Sequence, residues 1–370
     1  MSGAVTILVA KGEQDKVLTE NPQISFFRKN YKRHVNFAQC TLSQVVEGTP
    51  STGTSSTCTL SRKGDLLSYI YLTKKDGGVV QPDITSSDIE SIDFLIGGQV
   101  IDTLSTDQLV SLRNMHEKYP RTFQGSESPA TGELGFYNTY YYPLGFWFCE
   151  SWQSALPMVG LQYHDIQIRI NWGTAVHPST TSFEIWANYI YLDTKEREYF
   201  ADPNIKDYLI YQHASTLPSS QQDLALTLPF NNPVSFIFGK VGNTDIFGNA
   251  IPNVTNQLQL SINGVDIVDK KELIPHYTAI PTVYHTSFGK WSIYDPVLNV
   301  TPTLELATHT SFIYPFCLNC SSAQPTGTCN FSRVDSVILN TTAPITKPIY
   351  ARSYNVLRIN KGMGGLMYSS

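Results

Sequence analysis

Short apolar runs recur along the whole chain, each bounded by Gly, Pro, Asn or Ser. They are rich in Val, Ile, Tyr, Phe and Thr, side chains that suit a pleated, half-buried surface. In the first half, 37–46, 66–72, 89–100, 166–172 and 183–192 read as strands. In the second half, 258–262, 334–339 and 354–359 do so. Leu258 to Ile262 alternates at period two, Asn263-Gly264 is a turn signal, and Val265-Asp266-Ile267 resumes the alternation, a hairpin pattern. Many short strands with turns between them predict an all-β sandwich or barrel.

Helical periodicity is rare. In 106–118, Leu109, Leu112 and Met115 lie near one face, Thr106 or Asp107 can cap the start, and Pro120 stops the run. A second short helix is predicted over 194–200. Lys195-Glu196-Arg197-Glu198, followed by Asp202-Pro203-Asn204, marks a polar junction with strands on both sides. The predicted organisation is an N-terminal arm (1–30), a first β domain (31–196), a junction (197–212) and a second β domain (213–370). No short sequence repeat is visible, so any duplication must be structural.

Composition narrows the class. The chain has 370 residues, long enough to build a core without disulfides or metals. Charged residues are 15% and aromatics 12%, which excludes a disordered chain and a coiled coil. Net charge is -5, with 15 Lys+Arg against 20 Asp+Glu in 1–196 and 11 against 11 in 197–370. Neither half is a basic nucleic-acid module. Ala4 to Ala10 is too short to cross a bilayer and no basic region precedes it, so it reads as an ordered arm or strand and not as a signal peptide. The six cysteines (40, 58, 149, 317, 320, 329) are then expected to be free thiols in a reducing cytosol.

The common catalytic signatures are missing: no GxxxxGK[ST], GxGxxG after a strand, HExxH or GxSxG occurs. No enzyme activity and no cofactor are predicted. Cys317 and Cys320, with Cys329 and His309, have spacing that suits zinc, but one CxxC without a matching pair is weak, and no metal is predicted. Sequons stand at Asn253, Asn299, Asn319, Asn330 and Asn340. Chance alone gives roughly four. Asn253, Asn299, Asn319 and Asn340 are kept as glycosylation candidates. Asn330 is set aside because a strand follows it. Arg333 and Asp335 are two apart and are expected to share a strand face and make structural bonds. The sharpest charge feature is Arg28, Lys29, Lys32 and Arg33, directly after Phe26-Phe27. Such a cluster suits an anionic membrane surface or an acidic partner.

Several segments resemble one family. Thr19-Glu20-Asn21-Pro22-Gln23-Ile24-Ser25-Phe26-Phe27 is similar to the opening of major capsid proteins of nucleocytoplasmic large DNA viruses, the algal-virus branch above all. Ile96-Gly97-Gly98-Gln99-Val100-Ile101-Asp102, Pro143-Leu144-Gly145-Phe146-Trp147-Phe148, Leu161-Gln162-Tyr163-His164 and Tyr350-Ala351-Arg352-Ser353-Tyr354 with Gly362-Met363-Gly364-Gly365 follow in the family's order. The resemblance implies two consecutive eight-stranded jelly rolls with short inserted helices. It also implies a homotrimeric, pseudo-hexameric capsomer of an icosahedral shell, made in the host cytoplasm and located in the virion. The implied partners are further copies of the chain, minor capsid proteins and an internal viral membrane, towards which the basic cluster would face. No sequence-specific nucleic-acid binding is implied. The chain is shorter than many members, which keeps open a minor capsid paralogue or a lectin-like attachment protein. His164 and Trp147 are expected to be core or interface residues.

Overall fold

A computed structural model of the chain describes residues 3, 7, 10–82, 84–115, 126–127, 134–136, 140–218, 223–240, 256–286, 311–345 and 347–368. Met1–Asn36 and Phe37–Ser370 are separate compact units. The smaller unit has a 3-10 turn at Glu13–Asp15 and one helical turn at Lys16–Thr19, with no buried residue in either. Of the predicted arm strand, only Ile7 and Ala10 lie among the described residues.

Besides short accessory strands, the first half of the larger unit has eight strands on the main paths of its sheets: β1 (Phe37–Gln44), β2 (Ser55–Thr59), β3 (Leu66–Asp76), β4 (Ile89–Ile96), β5 (Gln99–Ser105), β6 (Tyr142–Pro143), β7 (Ile166–Trp172) and β8 (Thr181–Leu192). They form two sheets, β1-β8-β3-β6 and β2-β7-β4-β5. Eight more follow: β9 (Lys206–Thr216), β10 (Ala225–Thr227), β11 (Pro233–Lys240), β12 (Gln257–Ile262), β13 (Val265–Asp266), β14 (Ser311–Pro315), β15 (Val337–Thr341) and β16 (Ile349–Asn360). Their sheets are β9-β16-β11-β14 and β10-β15-β12-β13. Numbered from one within each half, both follow the order 1-8-3-6 and 2-7-4-5. That is the jelly roll, made twice. A last strand, β17 (Met363–Leu366), turns back onto β16. The duplication invisible in the sequence is plain in the topology.

Alternation explains the layers. In β7 the side chains of Ile166, Ile168, Ile170 and Trp172 point into the core while their neighbours are half-buried. Burying each Ile contributes about 1.5–3 kcal/mol. Trp172 Nε1 donates to Ser56 Oγ at 2.8 Å, so the indole pays no desolvation penalty. Leu67, Ile70, Ile185 and Tyr189 on the facing sheet close the same core. The second half has a smaller core around Leu258, Leu260, Phe312 and Leu339.

Three sequence expectations are corrected. The run 89–100 is two strands, not one. Gly97 (φ +57°) and Gly98 (φ +81°) adopt left-handed backbone and turn the chain between β4 and β5. The helix α1 (Thr106–Met115) is capped by neither Thr106 nor Asp107: Ser105 Oγ accepts the Gln108 N–H at 3.2 Å. The run 334–339 starts too early. Phe331–Arg333 is a 3-10 turn and β15 begins at Val337, so Arg333 and Asp335 share no strand face. Further helices follow in the chain: α2 (Trp147–Glu150), α3 (Thr194–Ala201), α4 (Leu273–His276) and α5 (Ala279–Tyr284). The Asp193 carboxylate caps α3 by accepting the Thr194 N–H at 2.8 Å.

Candidate functional site: the seam between the jelly rolls

The core of the first jelly roll does not end with its own strands. Ile210 and Tyr211 of β9 and Leu357 and Ile359 of β16 belong to it. A further buried cluster joins Leu112 of α1 to Phe236, Phe238, Ile313, Cys317, Cys320 and Tyr350 of the second half. The two jelly rolls therefore share a buried seam, crossed by three polar devices.

The first is a glycine joint. A Cβ on Gly97 would lie 2.6 Å from the His164 ring, and one on Gly362 (φ +83°) 2.6 Å from the Tyr163 ring. His164 Nδ1 lies 2.9 Å from the Gly364 carbonyl, and Tyr163 N donates to Gly362 O at 2.9 Å. Three of the family-like segments thus meet at one point.

The second is an amide–carboxylate ladder. Asp102 of β5 accepts the His213 N–H at 2.9 Å on one oxygen and faces His213 Nδ1 at 3.0 Å with the other, both side chains wholly buried. Next to it, Gln212 Nε2 donates to the Ile101 carbonyl, and Asn355 Nδ2 donates to Gln212 Oε1 at 2.6 Å.

The third is an ionic centre. Arg352 on β16 is buried, and its Nη2 lies 3.1 Å from Glu150 Oε2 on α2. Its guanidinium stacks 3.4 Å from the Tyr211 ring centroid. Burial, the largest single influence, lowers its pKa, but the Glu150 charge and hydrogen bond together with Tyr211 and Tyr354 outweigh it, and Arg352 stays raised above its ordinary value. Burial pushes the Tyr211 phenol well up, with the Glu150 charge adding to it. Arg352 Nε and Nη1 have no hydrogen-bond partner among the described residues.

The basic cluster singled out from the sequence lies elsewhere, in the small N-terminal unit. Arg28, Lys29, Lys32 and Arg33 are all exposed and make no ion pair among the described residues. Lys29 Nζ sits 5.8 Å from the Tyr31 ring centroid. Phe26 and Phe27 beside them are 88% and 99% exposed. Asn253 and Asn299 lie outside the described residues. Asn319 is half-buried and its Oδ1 accepts the Ser321 N–H at 2.9 Å. Asn340 is in β15 and its Nδ2, the glycan-bearing nitrogen, donates to Ser261 Oγ at 3.0 Å. A glycan there must break that bond. Asn330 is exposed and caps the turn after it. Trp147 is buried in the first core.

The seam was missed by sequence reasoning because its polar members come from distant segments. Asp102 and His213 are 111 residues apart, and Glu150 and Arg352 are 202 apart. Among the described residues no three His, Cys, Asp or Glu side chains group as metal ligands, and His309 is not among those residues. No helix of the described residues is long and apolar enough to cross a membrane. A cavity of about 290 Å³ is lined mainly by Trp147, Trp152, Phe200, Tyr208, Leu209 and Leu357, with Asp207 held by Arg358 at its edge. What the seam can do chemically is hold two sandwiches in one fixed arrangement.

Comparison with known proteins places this architecture. Residues 25–193 match a family model described as major capsid protein N-terminus, and 196–365 match one described as large eukaryotic DNA virus major capsid protein. The chain is 34% identical to the major capsid protein of Pyramimonas orientalis virus, with 100% of both chains covered. It is 28% identical to that of Paramecium bursaria Chlorella virus 1, again over 100% of each. Among solved structures it superposes on PBCV-1 VP54 with a TM-score of 0.71 at 23% identity, covering 94% of this chain and 100% of the other. The Faustovirus major capsid protein follows at a TM-score of 0.61 and 11% identity, covering 95% and 94%.

Proposed function

The chain belongs to the large eukaryotic DNA virus major capsid protein family, and from that premise we propose that it is the building block of an icosahedral virion shell, three copies forming one pseudo-hexameric capsomer. The observation that carries this reading is the repeated strand order joined by a buried seam. Three chains then supply six similar sandwiches, which approximate a hexagonal tile although only three copies are present. We assign the chain a structural role in the virion, not catalysis, as its relatives' names support. In this reading the two jelly-roll domains run from β1 to β8 and from β9 onwards, so the junction expected at 197–212 already holds the start of β9, and the arm expected at 1–30 extends to Asn36.

Apolar side chains left uncovered suit contacts between copies. Trp152 is 81% exposed, and Tyr163, Tyr199, Ile205 and Leu209 are exposed too. The N-terminal segment has a different partner. Its four unpaired cations beside two uncovered phenylalanines suit an anionic surface with an apolar interior, such as the viral membrane or an acidic minor capsid protein. Light scattering behind a sizing column tests the main reading. A species of three times the 41.3 kDa chain mass, with hexagonal outlines in the electron microscope, is expected. A monomer at micromolar concentration that never tiles would overturn it.

A further inference from the structure

The chain segment after β14 carries a feature that shell building does not require. Cys317 and Cys320 are buried, 5% and 4% exposed, and their sulfurs lie 3.0 Å apart without being bonded. The segment holding them is fixed by other bonds. Phe316 N donates to Ser235 O at 2.9 Å, Cys320 N to His285 O at 2.6 Å, and Asn319 N to Thr326 Oγ1 at 2.9 Å. His285 Nδ1 lies 3.0 Å from the Cys317 carbonyl. The backbone thus brings the two sulfurs together before any bond joins them.

The charge environment is equally specific. Arg352 acts electrostatically on both sulfurs, favouring a negative charge there. Glu150 takes only its Nη2, and Nε and Nη1 are buried donors with no acceptor among the described residues. Such donors are costly and rare in folded proteins. A sulfur anion is a better acceptor than a thiol for a buried cation that Glu150 meets through one nitrogen only.

We propose that Cys317 and Cys320 are a peroxide-reactive dithiol that closes to a disulfide at the seam, with Arg352 as the positive charge that steadies the reacting sulfur. Cys317 is the attacking sulfur. The hydrogen bond between the two sulfurs, with help from Arg352, lowers its pKa, whereas that bond and burial raise the pKa of Cys320. The Cys317 thiolate attacks one oxygen of hydrogen peroxide. An S–O bond forms, the O–O bond breaks, and hydroxide leaves to become water. The Cys320 sulfur then attacks the sulfenic sulfur, an S–S bond forms, the S–O bond breaks, and a second water leaves. Two thiols lose two electrons and two protons, and one peroxide becomes two waters. Peroxide is small enough to suit a site this enclosed. A particle passing from a reducing cytosol to an oxidising exterior meets these conditions.

The test uses the purified full-length protein. It is treated with hydrogen peroxide, denatured, alkylated with N-ethylmaleimide and mapped by peptide mass. Cys58 is the internal control, because it is buried in the first jelly roll and burial, with Glu47, holds its pKa up at about 12. The expected result is a peptide carrying both 317 and 320 that has lost two hydrogens, takes no maleimide and is restored by dithiothreitol, while Cys58 stays free. In Cys320→Ser, Cys317 is expected to accumulate as a sulfenic acid trapped by dimedone. Full alkylation of both cysteines after peroxide overturns the proposal. So does loss of Cys58 at the same rate, which means reaction through the unfolded chain. Zinc retained by both thiols also overturns it.

Discussion

The seam and the N-terminal segment place arginine in opposite surroundings. Arg352 is buried, meets one carboxylate and stacks on one ring. Arg28 and Arg33 stand in solvent with two lysines and no carboxylate at hand among the described residues. The first arrangement is settled inside the fold, so its loss is felt as stability. In the proposed reading the second meets its counter-charge on a partner, so its loss is expected to be felt as binding. The same residue type does two jobs because desolvation, not charge alone, sets its energy.

The sharpest way to break that contrast is Glu150→Ala. It leaves the Arg352 charge buried and unpaired, and a loss of about 3–5 kcal/mol is expected in denaturant unfolding. Glu150→Leu with Arg352→Leu should recover much of it, because a buried pair is often replaced by apolar packing at little cost. A double variant as unstable as Glu150→Ala would show that the pair itself, and not the orphaned charge, holds the seam. The glycine joint comes next. Gly97→Ala forces a Cβ against the His164 ring from left-handed backbone, and about 1–3 kcal/mol is expected to be lost, read as a lower melting temperature.

A smaller effect distinguishes buried histidine from buried arginine. Burial holds His177 below its ordinary pKa, and the Asp88 carboxylate 3.6 Å away only partly counters this. The unfolded chain therefore takes up the proton more readily. The contribution is complete above the ordinary value of about 6.5 and is lost as pH falls below it towards the depressed folded value. Melting temperature against pH should decline less steeply in His177→Gln than in the parent. Reversing Arg28, Lys29, Lys32 and Arg33 to Glu should have the least effect on stability, within about 0.5 kcal/mol. It should nevertheless abolish sedimentation with phosphatidylserine vesicles. Unchanged sedimentation would remove the membrane role from the segment.

The strands that could be read in the sequence are those with one clean buried face. Ile166 to Trp172 alternates without interruption and is β7 at both ends. Asn263-Gly264 is the hairpin turn its residues predict, with φ of +52° and +75°. Strand β9 was hidden, because it lies against a neighbour on both faces and at the junction, so Asp207, Gln212 and His213 break any apolar period. Gly97-Gly98 was read through as strand because the apolar run continues on either side of it. The ionic centre of the seam could not be read at all. Its Glu150–Arg352 pair exists only once a distant strand and a four-residue helix have met. The glycine joint was half legible: its three segments stood out by resemblance, but nothing in their spacing shows that they touch.

The same joint has a consequence for how the protein is made. His164 and its partner Gly364 are 200 residues apart. At about 5–20 residues per second a ribosome needs roughly 10–40 s to cover that distance. Throughout that interval the first jelly roll is complete in its own strands yet lacks Leu357 and Ile359, which finish its core. A nascent chain is therefore recognisably unfinished, with an apolar face for chaperones to hold. Only a chain translated through β16 can close that face, so the seam is the last part of the subunit that synthesis can complete.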